Sequence, residues 1–491
     1  MPSRISSPLL PRLALACALV LSAALPASAQ SAGLTLQECI DRALDKNFGL
    51  KIQSFDTANA AEALALSRAD YDPGFFISAT KSVNQADNAA TTLVGTRSDN
   101  LNTRAGVAQK ISTGATVELS SSMGRSATNN TFATLNPAYS ADLTLAVSQP
   151  LLKNAGSTVN RAAINRAKIG VGIANLNYKG RVLQTVKDTE SAYYNLVYAR
   201  EQLKVRRLSL DLAEKLLDEN KTRKNTGVAT DLDVLQAEVG VETARRNVLL
   251  AEQTVSDAED ALLSLIGQFE FGTSLGEVAL PSVAAFTPDF EISYKLARDN
   301  QPDYVAAQEA LKQLEIDVAA AKRNRLPTLD LDGAMGYNTR DSSAERAYDR
   351  LPDGDGYSWQ VGLSLRVPWG MRSEKARYNS AVNTLRREET RVKQIEQNLM
   401  AQVRAAVRAV ETNLESVAIS RKATELSERQ YELEKARFDA GLSTSRRVLE
   451  AQDDLETARV AELQARVNLR NAMAELNRLD GSSLSLYRVA L

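Results

Sequence analysis

The chain of 491 residues has a formal charge of −1, contains no histidine and has two cysteines. The near-neutral balance argues against nucleic acid as a partner, and the lack of histidine removes the commonest general base and metal ligand. The sequence also lacks a phosphate-binding loop, a G-x-S-x-G elbow and a paired-cysteine motif. We therefore expect neither catalysis nor a bound cofactor or metal.

Residues 1–29 have the features of an export signal. Arg4 and Arg12 precede an apolar run from Leu13 to Leu25, and Ala27 to Ala29 forms a small-residue cleavage site. After cleavage Cys39 is the only cysteine, so we expect no intrachain disulfide and a buried, apolar role for this thiol on a helix. The rest of the chain lacks a run of eighteen apolar residues, which predicts an exported protein that is either periplasmic or held in the outer membrane by β-strands.

Residues 30–72 are predicted to form short helices, and two regions, 73–150 and 327–368, are predicted to form strands. Both regions end in alternating apolar and small or polar residues, from Leu143 to Pro150 and from Val361 to Pro368. In a membrane barrel the apolar face of such a strand meets lipid and the other face lines an aqueous lumen. The alternative is a periplasmic sandwich flanked by helices. Aromatic residues at the strand ends favour the membrane, as interfacial girdles: Phe75, Phe76, Tyr139, Tyr337, Tyr357, Trp359 and Trp369.

The number of strands suggests that several chains share one barrel. A few strands cannot close a wide channel alone, and four per chain in a trimer would give twelve. The first strand region is 36 residues longer than the second (77 against 41). The surplus contains an alternating pair, residues 103–111 and 115–123, which is either an outward hairpin or two more wall strands per chain.

Regions 151–270 and 369–480 are predicted to form very long helices. Proline is absent from Ser157 to Thr226 and from Ser373 to Ala440. Seventy residues of helix span about 105 Å. Residues 271–326 are predicted to hold a linker and the short helices of a second repeat, and residues 481–491 a C-terminal tail.

The two long helical regions repeat each other around a glycine break. Arg223, Gly227 and Thr230 recur 214 residues later as Arg437, Gly441 and Thr444. Each break is followed by a heptad seam with alanine at alternate positions, which indicates closely packed coiled coils. The seam positions are Val234, Ala237, Val241, Ala244, Val248, Ala251, Val255, Ala258, Leu262 and Leu265, then Val448, Ala451, Leu455, Ala458, Glu462, Ala465, Leu469, Ala472, Leu476 and Leu479.

The export signal, the duplicated unit and the R-x3-G motif at two helix tips resemble the TolC family of outer-membrane efflux proteins. Further matches are the opening Leu34–Asn47, the strand exit Ser148–Leu152 and the start of the second copy, Ala297–Pro302. The resemblance implies a homotrimer in outer-membrane lipid, with a twelve-stranded barrel continuous with a helical tunnel. It also implies a periplasmic adaptor (membrane fusion protein) and an inner-membrane transporter of the RND or ABC type as partners.

In the family the tunnel closes at the periplasmic tips through charged contacts just after the glycine. The family's acid six residues after the first glycine is Asp233 here, whereas Arg447 occupies that place in the second copy and Glu450 matches the acid nine residues after. We predict that Asp231 or Asp233 pairs with Arg446 or Arg447. The alternative is that these are solvated tip charges without a gating role. The residues we expect to contact an adaptor are Arg223, Gly227, Thr230, Arg437, Gly441 and Thr444.

The fold class predicted is an α+β membrane protein: a tandem-duplicated, coiled-coil periplasmic barrel with strands contributed to a trimeric transmembrane β-barrel. The predicted function is the exit duct of a tripartite efflux pump or type I secretion system, in the outer membrane and extending into the periplasm. The alternative is a periplasmic coiled-coil adaptor or structural envelope protein without channel activity.

Overall fold

The computed structural model describes residues 34–86, 95–267, 275–279 and 288–489. The predicted export signal, residues 1–29, lies outside them. The first repeat begins with two short helices and four strands: α1 (Leu36–Lys46), α2 (Phe48–Ala69), β1 (Gly74–Gln85), β2 (Arg97–Lys110), β3 (Thr116–Thr128) and β4 (Ala138–Pro150). It continues with α3 (Ser157–Asn160), α4 (Ala162–Asn225) and α5 (Asp231–Leu265).

The second repeat has the same plan with fewer strands. Its elements are α6 (Phe290–Asn300), α7 (Pro302–Asn324), β5 (Thr328–Asp341), α8 (Ala344–Asp349), β6 (Tyr357–Arg366), α9 (Arg372–Asp439), α10 (Ser445–Asp480) and α11 (Ser482–Leu486). The α4 and α9 helices have 64 and 68 residues, which confirms the predicted long helices. Within the described residues, no helix combines the length and the apolar character needed to cross a bilayer.

The six strands of the described ranges form one antiparallel sheet in the order β1-β2-β3-β4-β5-β6. The surplus of the first strand region therefore forms β2 and most of β3, inside the sheet and fully paired on both sides. Of the two alternatives for this pair, the outward hairpin is not observed, because β2 and β3 do not project from the sheet but lie in register between β1 and β4. Strands β2 and β3 also extend beyond the predicted pair 103–111 and 115–123, by residues 97–102 and 124–128.

The sheet has one apolar and one polar face, as the alternation predicted. Directly paired residues share a face, so the register can be followed across all strands. One such row contains an apolar residue in each strand: Phe75, Val107, Leu119, Leu145, Met335 and Trp359. A row on the other face is polar: Ser78, Arg104, Ser122, Asp142 and Asn338.

The long helices form a layer that is four helices wide. In the half near the sheet the order is α2-α4-α7-α9, and in the half near the glycine breaks it is α5-α4-α10-α9. The seam packs against neighbouring helices as predicted, because Val241, Ala251 and Leu262 are buried, as are Leu455 and Leu476 in the second copy. Glycine breaks join α4 to α5 and α9 to α10, which gives two helical hairpins per chain.

Each short N-terminal helix packs against the long helices near mid-length and builds a core there. In α1, Ile40 lies in a cluster with Leu196 and Leu262. In α6, Ala297 lies in the corresponding cluster with Val403 and Leu476. Cys39 is completely buried beside Ile40, and burial raises the pKa of its thiol to about 12, as expected for a small apolar core residue.

Candidate functional site: the two helix tips

The two glycine breaks have the same backbone conformation. Gly227 and Gly441 have φ of +79° and +78°, in the left-handed region that favours glycine. The amide of the next residue bonds back to the carbonyl of the motif arginine, Val228 N to Arg223 O and Leu442 N to Arg437 O, both at 2.8 Å. This is the helix-ending motif in which a left-handed glycine satisfies the last carbonyl groups. The R-x3-G spacing therefore specifies a sharp helix end in both copies.

The following helices start differently in the two copies. Thr230 and Asp233 form a reciprocal capping box, with Thr230 N donating to Asp233 Oδ2 at 2.8 Å and Asp233 N donating to Thr230 Oγ1 at 3.3 Å. Hydrogen bonds to the Asp233 carboxylate from the Thr230 hydroxyl, at 2.7 Å, and from the Thr230 backbone amide lower the pKa of Asp233. Thr444 also begins its helix but makes no side-chain cap bond, and the third helical residue there is Arg447. Asp233 thus caps α5 in the single chain.

Three of the four remaining charged gate candidates pair within their own hairpins. Asp231 forms an ion pair with Lys224, and Arg446 forms one with Glu450, with 2.9 Å between Nε and Oε1. The predicted pairing of Asp231 or Asp233 with Arg446 or Arg447 is therefore not made within one chain. These residues lie on neighbouring hairpin ends, so a pairing between copies stays a prediction.

The two motif arginines have different neighbours, which the repeat did not reveal. Arg223 donates to the carbonyl oxygen of Phe438 on the other hairpin at 3.1 Å, and its guanidinium lies 3.9 Å from the centre of the Phe438 ring. The carboxylate of Glu219 accepts from Arg223 at 3.0 Å and from Lys435 at 2.6 Å. Arg437 instead pairs with Glu434 in its own helix at 3.7 Å. Arg223 therefore links the two hairpins.

Between α4 and α10, three polar contacts hold the hairpins together above the tips. Asn220 Nδ2 donates to Ser445 Oγ at 2.9 Å, Gln452 Nε2 donates to Ser209 O at 2.8 Å, and Arg206 pairs with Glu456. We call these contacts the polar lock. All of their residues except Arg206 are buried. Sequence reasoning missed the lock, although the spacing of Ser445, Gln452 and Glu456 marks a second, polar stripe beside the seam.

Among the described residues, no group of three or more His, Cys, Asp or Glu side chains is placed to hold a metal ion. The site consists of ion pairs and hydrogen bonds between helices. Such contacts can break and form again when the helices move. Together with a sheet whose apolar face is exposed, it defines a class of protein, the outer-membrane channels whose helices extend into the periplasm.

Comparison with known proteins gives the family. The sequence model described as "Outer membrane efflux protein" matches residues 116–268 and 293–482. The chain therefore belongs to the outer membrane efflux protein family and is an outer-membrane efflux channel. The members of this family are transport channels, and the family is not an enzyme family. The alternative of a coiled-coil adaptor or spacer has no support from these matches.

Individual relatives agree with this assignment. The chain is 26% identical to the pyoverdine export outer membrane protein OpmQ of Pseudomonas aeruginosa, over 59% of this chain and 61% of OpmQ. It is 24% identical to the outer membrane protein OprJ of the same organism, over 92% of this chain and 86% of OprJ. The fold is similar to that of the CmeC outer membrane channel of Campylobacter jejuni, with a TM-score of 0.69, 20% identity and coverage of 91% of this chain and 85% of CmeC.

Proposed function

We propose that three copies of this chain close head to tail into one duct that runs from the periplasm through the outer membrane. The observation that carries this proposal is that the chain is a wall segment with two unlike open edges. One edge consists of β1, α2 and α5, and the other of β6 and α9. A contact between unlike surfaces repeats around a rotation axis and closes into a ring when the rotation divides a full turn.

Both edges expose apolar side chains that a neighbouring copy would cover. On α9, Ile419, Leu426 and Leu433 recur every seven residues and are 54–68% exposed in the single chain. This stripe has the spacing of a coiled-coil seam, which supports a helix of another copy as its partner. The opposite edge exposes its own apolar residues: Phe48, Ile52, Phe55 and Leu66 of α2, and Leu249 and Leu250 of α5.

The repeat predicts what meets near the tips between copies. If α9 contacts α5 of its neighbour as α4 contacts α10 within the chain, each partner shifts by 214 residues. Asn220 and Ser445 of the polar lock then correspond to Glu434 and Asp231. Two carboxylates would replace a hydrogen bond at this junction. In the closed entrance, the contact between copies is therefore weaker than the contact between the two hairpins of one chain.

We propose that cationic side chains offset this repulsion in the closed state. Lys224 already pairs with Asp231, and Arg446 and Arg447 lie at the start of α10. Glu450 and Asp233 add negative charge to the same entrance and favour the entry of cations. Ring closure by three copies places three copies of each charge near one axis. The like charges then repel each other across the narrow opening.

The two tips are also the surface that we propose for a periplasmic adaptor. Arg223, Gly227 and Thr230 on one tip and Arg437, Gly441 and Thr444 on the other present similar shapes at alternate positions around the ring. Because the two shapes are similar, an adaptor with one type of hairpin end can bind both. An inner-membrane transporter, RND or ABC, then supplies the energy. In this arrangement the duct exports small molecules or proteins and catalyses no reaction itself.

Native mass measurement of the detergent-solubilised protein tests the duct, and a trimer is the expected result. Leu426→Glu should break the trimer, because it places a charge in the stripe on α9. Leu208→Glu is the matched control, because Leu208 is also exposed but lies on α4, in the middle of the layer. A monomeric wild-type protein, or one released from outer membranes by a high-salt wash, would overturn the proposal.

A further inference from the structure

In the part of the chain that the structure describes, the sheet has six strands, and the inner pair β2–β3 is paired in continuous register like the other strands. Its residues Val107 and Leu119 continue the apolar row that runs through Leu145 and Met335 on β4 and β5. On the same face, the residues next to this row are also apolar: Ala105 on β2 and Val117 on β3. A strand pair that stands in water above a membrane has no reason to keep an apolar face in register with membrane strands.

The opposite face of the same two strands carries paired polar groups. Arg104 of β2 pairs with Glu118 of β3 and donates to Ser120 Oγ at 3.2 Å. Ser122 of β3 donates to Asp142 Oδ2 of β4 at 3.0 Å. The polar network therefore crosses from β2 to β4 on one side, while the apolar row crosses on the other. This two-sided character is that of a wall between lipid and water.

We propose that β2 and β3 are membrane-wall strands and that the ring of three copies closes an eighteen-stranded barrel. The inference rests on the proposed trimer and adds to it the size of the barrel. The family-model match starts at residue 116, the first residue of β3, so β1 and β2 lie outside the part shared with the family model. An even number of strands in strict antiparallel order also lets β1 of one copy pair antiparallel with β6 of the next.

The exposure of the edge strands supports this closure. Every residue of β6 is exposed, and β1 is exposed at all but one position. The outer backbone N–H and C=O groups of β1 and β6 lie along the two edges of the sheet. They need partners, because each unpaired backbone group in a bilayer costs several kcal/mol. A second copy of the chain supplies these partners at both edges at once.

The strand number determines the width of the exit. At a strand spacing of about 4.8 Å and a tilt of about 40°, eighteen strands have a circumference of about 113 Å and twelve have about 75 Å. Three copies of a layer four helices wide give twelve helices, which at 8–10 Å apart have a circumference of about 96–120 Å. The eighteen-stranded barrel therefore continues the tunnel without narrowing. Size selection then occurs at the periplasmic tips and not in the membrane.

Single-cysteine labelling in lipid nanodiscs tests the position of β2 and β3. Val107→Cys and Leu119→Cys would carry a spin label whose collision rates with oxygen and with a water-soluble nickel chelate are compared. Leu145→Cys on β4 is the reference for lipid, and Ser78→Cys, at an exposed position on the polar face of β1, is the control for water. The native Cys39 is buried and does not compete for the label.

The expected result is an oxygen-to-nickel ratio at positions 107 and 119 that equals the ratio at 145 and is several-fold above that at 78. Water exposure at 107 and 119 with lipid exposure at 145 would overturn the eighteen-stranded wall and leave the duct intact. Water exposure at 145 as well would defeat the proposed function itself. Counting strands in an electron cryo-microscopy map gives an independent answer, with eighteen expected and twelve contradicting the inference.

Discussion

Asn220 of α4 donates a 2.9 Å hydrogen bond to Ser445 at the start of α10, and each of these two side chains is only 1% exposed. The two residues are 225 positions apart in sequence and belong to different hairpins. The bond lies about one to two helical turns from the glycine breaks, where the hairpins must move apart if the entrance widens. A buried hydrogen bond in this position holds the hairpins of one chain as a unit.

Replacing Ser445 with alanine should loosen this unit. The variant leaves Asn220 with only its bond to Leu216 O at 3.0 Å, and a buried donor without its partner costs about 1–3 kcal/mol. We expect a lower melting temperature and more frequent opening in planar bilayers. Ser443→Ala is the control, because Ser443 bonds to Glu434 within its own hairpin. Unchanged conductance and stability of Ser445→Ala would show that the polar lock does not hold the entrance.

Neutralising the acidic pair between copies should have the opposite effect. Asp231→Asn with Glu434→Gln removes the repulsion expected where α9 meets α5 of the neighbour, so the closed state gains stability. Single-channel recordings should show a lower open probability than wild type, and the difference should shrink in high salt because screening already weakens the repulsion. Asp211→Asn is a control, because this exposed carboxylate lies on the central helix α4. A double variant that opens more often than wild type would contradict the predicted contact.

The long helices and the breaks were readable from sequence because local features determine them. Proline-free heptads and a left-handed glycine act within a few residues, so α4, α9 and both tips were predicted correctly. Contacts between hairpins depend on how distant helices lie side by side. The polar lock and the link from Arg223 to Phe438 were therefore missed. Asp233 was assigned to the gate from resemblance, whereas the local capping pattern Thr230-x-x-Asp233 already indicated its role in α5.

The motif arginines provide a matched pair of variants. Arg223→Ala removes the bond to Phe438 O and the contact with its ring, so the two hairpins of one chain should separate more readily. Arg437→Ala removes only a 3.7 Å ion pair within α9. We expect higher conductance for the first variant and a smaller change for the second, measured in the same bilayer assay. Equal effects of the two substitutions would mean that the arginines act at the adaptor surface and not between hairpins.

The alanine seam can be tested at two positions that correspond in the repeat. Ala251 and Ala465 are each 5% exposed and lie 214 residues apart. Leucine at either position would insert three additional carbon atoms between closely packed helices, which costs about 1–3 kcal/mol. Thermal unfolding followed by circular dichroism should show a lower midpoint for both. Gln253→Leu, at an exposed position of α5, is the control. Wild-type midpoints for both seam variants would rule out a tight interface.

Glu190 gives the protein a pH-dependent stability. Its carboxylate is buried in α4, and burial raises its pKa to about 7, although a hydrogen bond from Tyr487 and the charge of Arg470 act in the opposite direction. A carboxyl whose folded pKa lies above its unfolded value of 4.5 favours the folded state most when it is protonated. Stability from this group is therefore full below about pH 4.5 and declines as the pH rises to about 7.

Glu190→Gln should remove this decline, because glutamine keeps an acceptor for the Tyr487 hydroxyl but does not ionise. Melting temperatures measured from pH 4.5 to 8 should show the wild type losing stability relative to the variant up to about pH 7, with a constant difference above that. Glu62→Gln, at an exposed position of α2, should follow the wild-type curve. Parallel curves for wild type and Glu190→Gln across the whole range would mean that the pKa of Glu190 in the folded protein equals its unfolded value of 4.5, so that the group is charged at neutral pH. The contact with Tyr487 would then stabilise a carboxylate, and the C-terminal residues after α10 would be held by charge rather than by a neutral hydrogen bond.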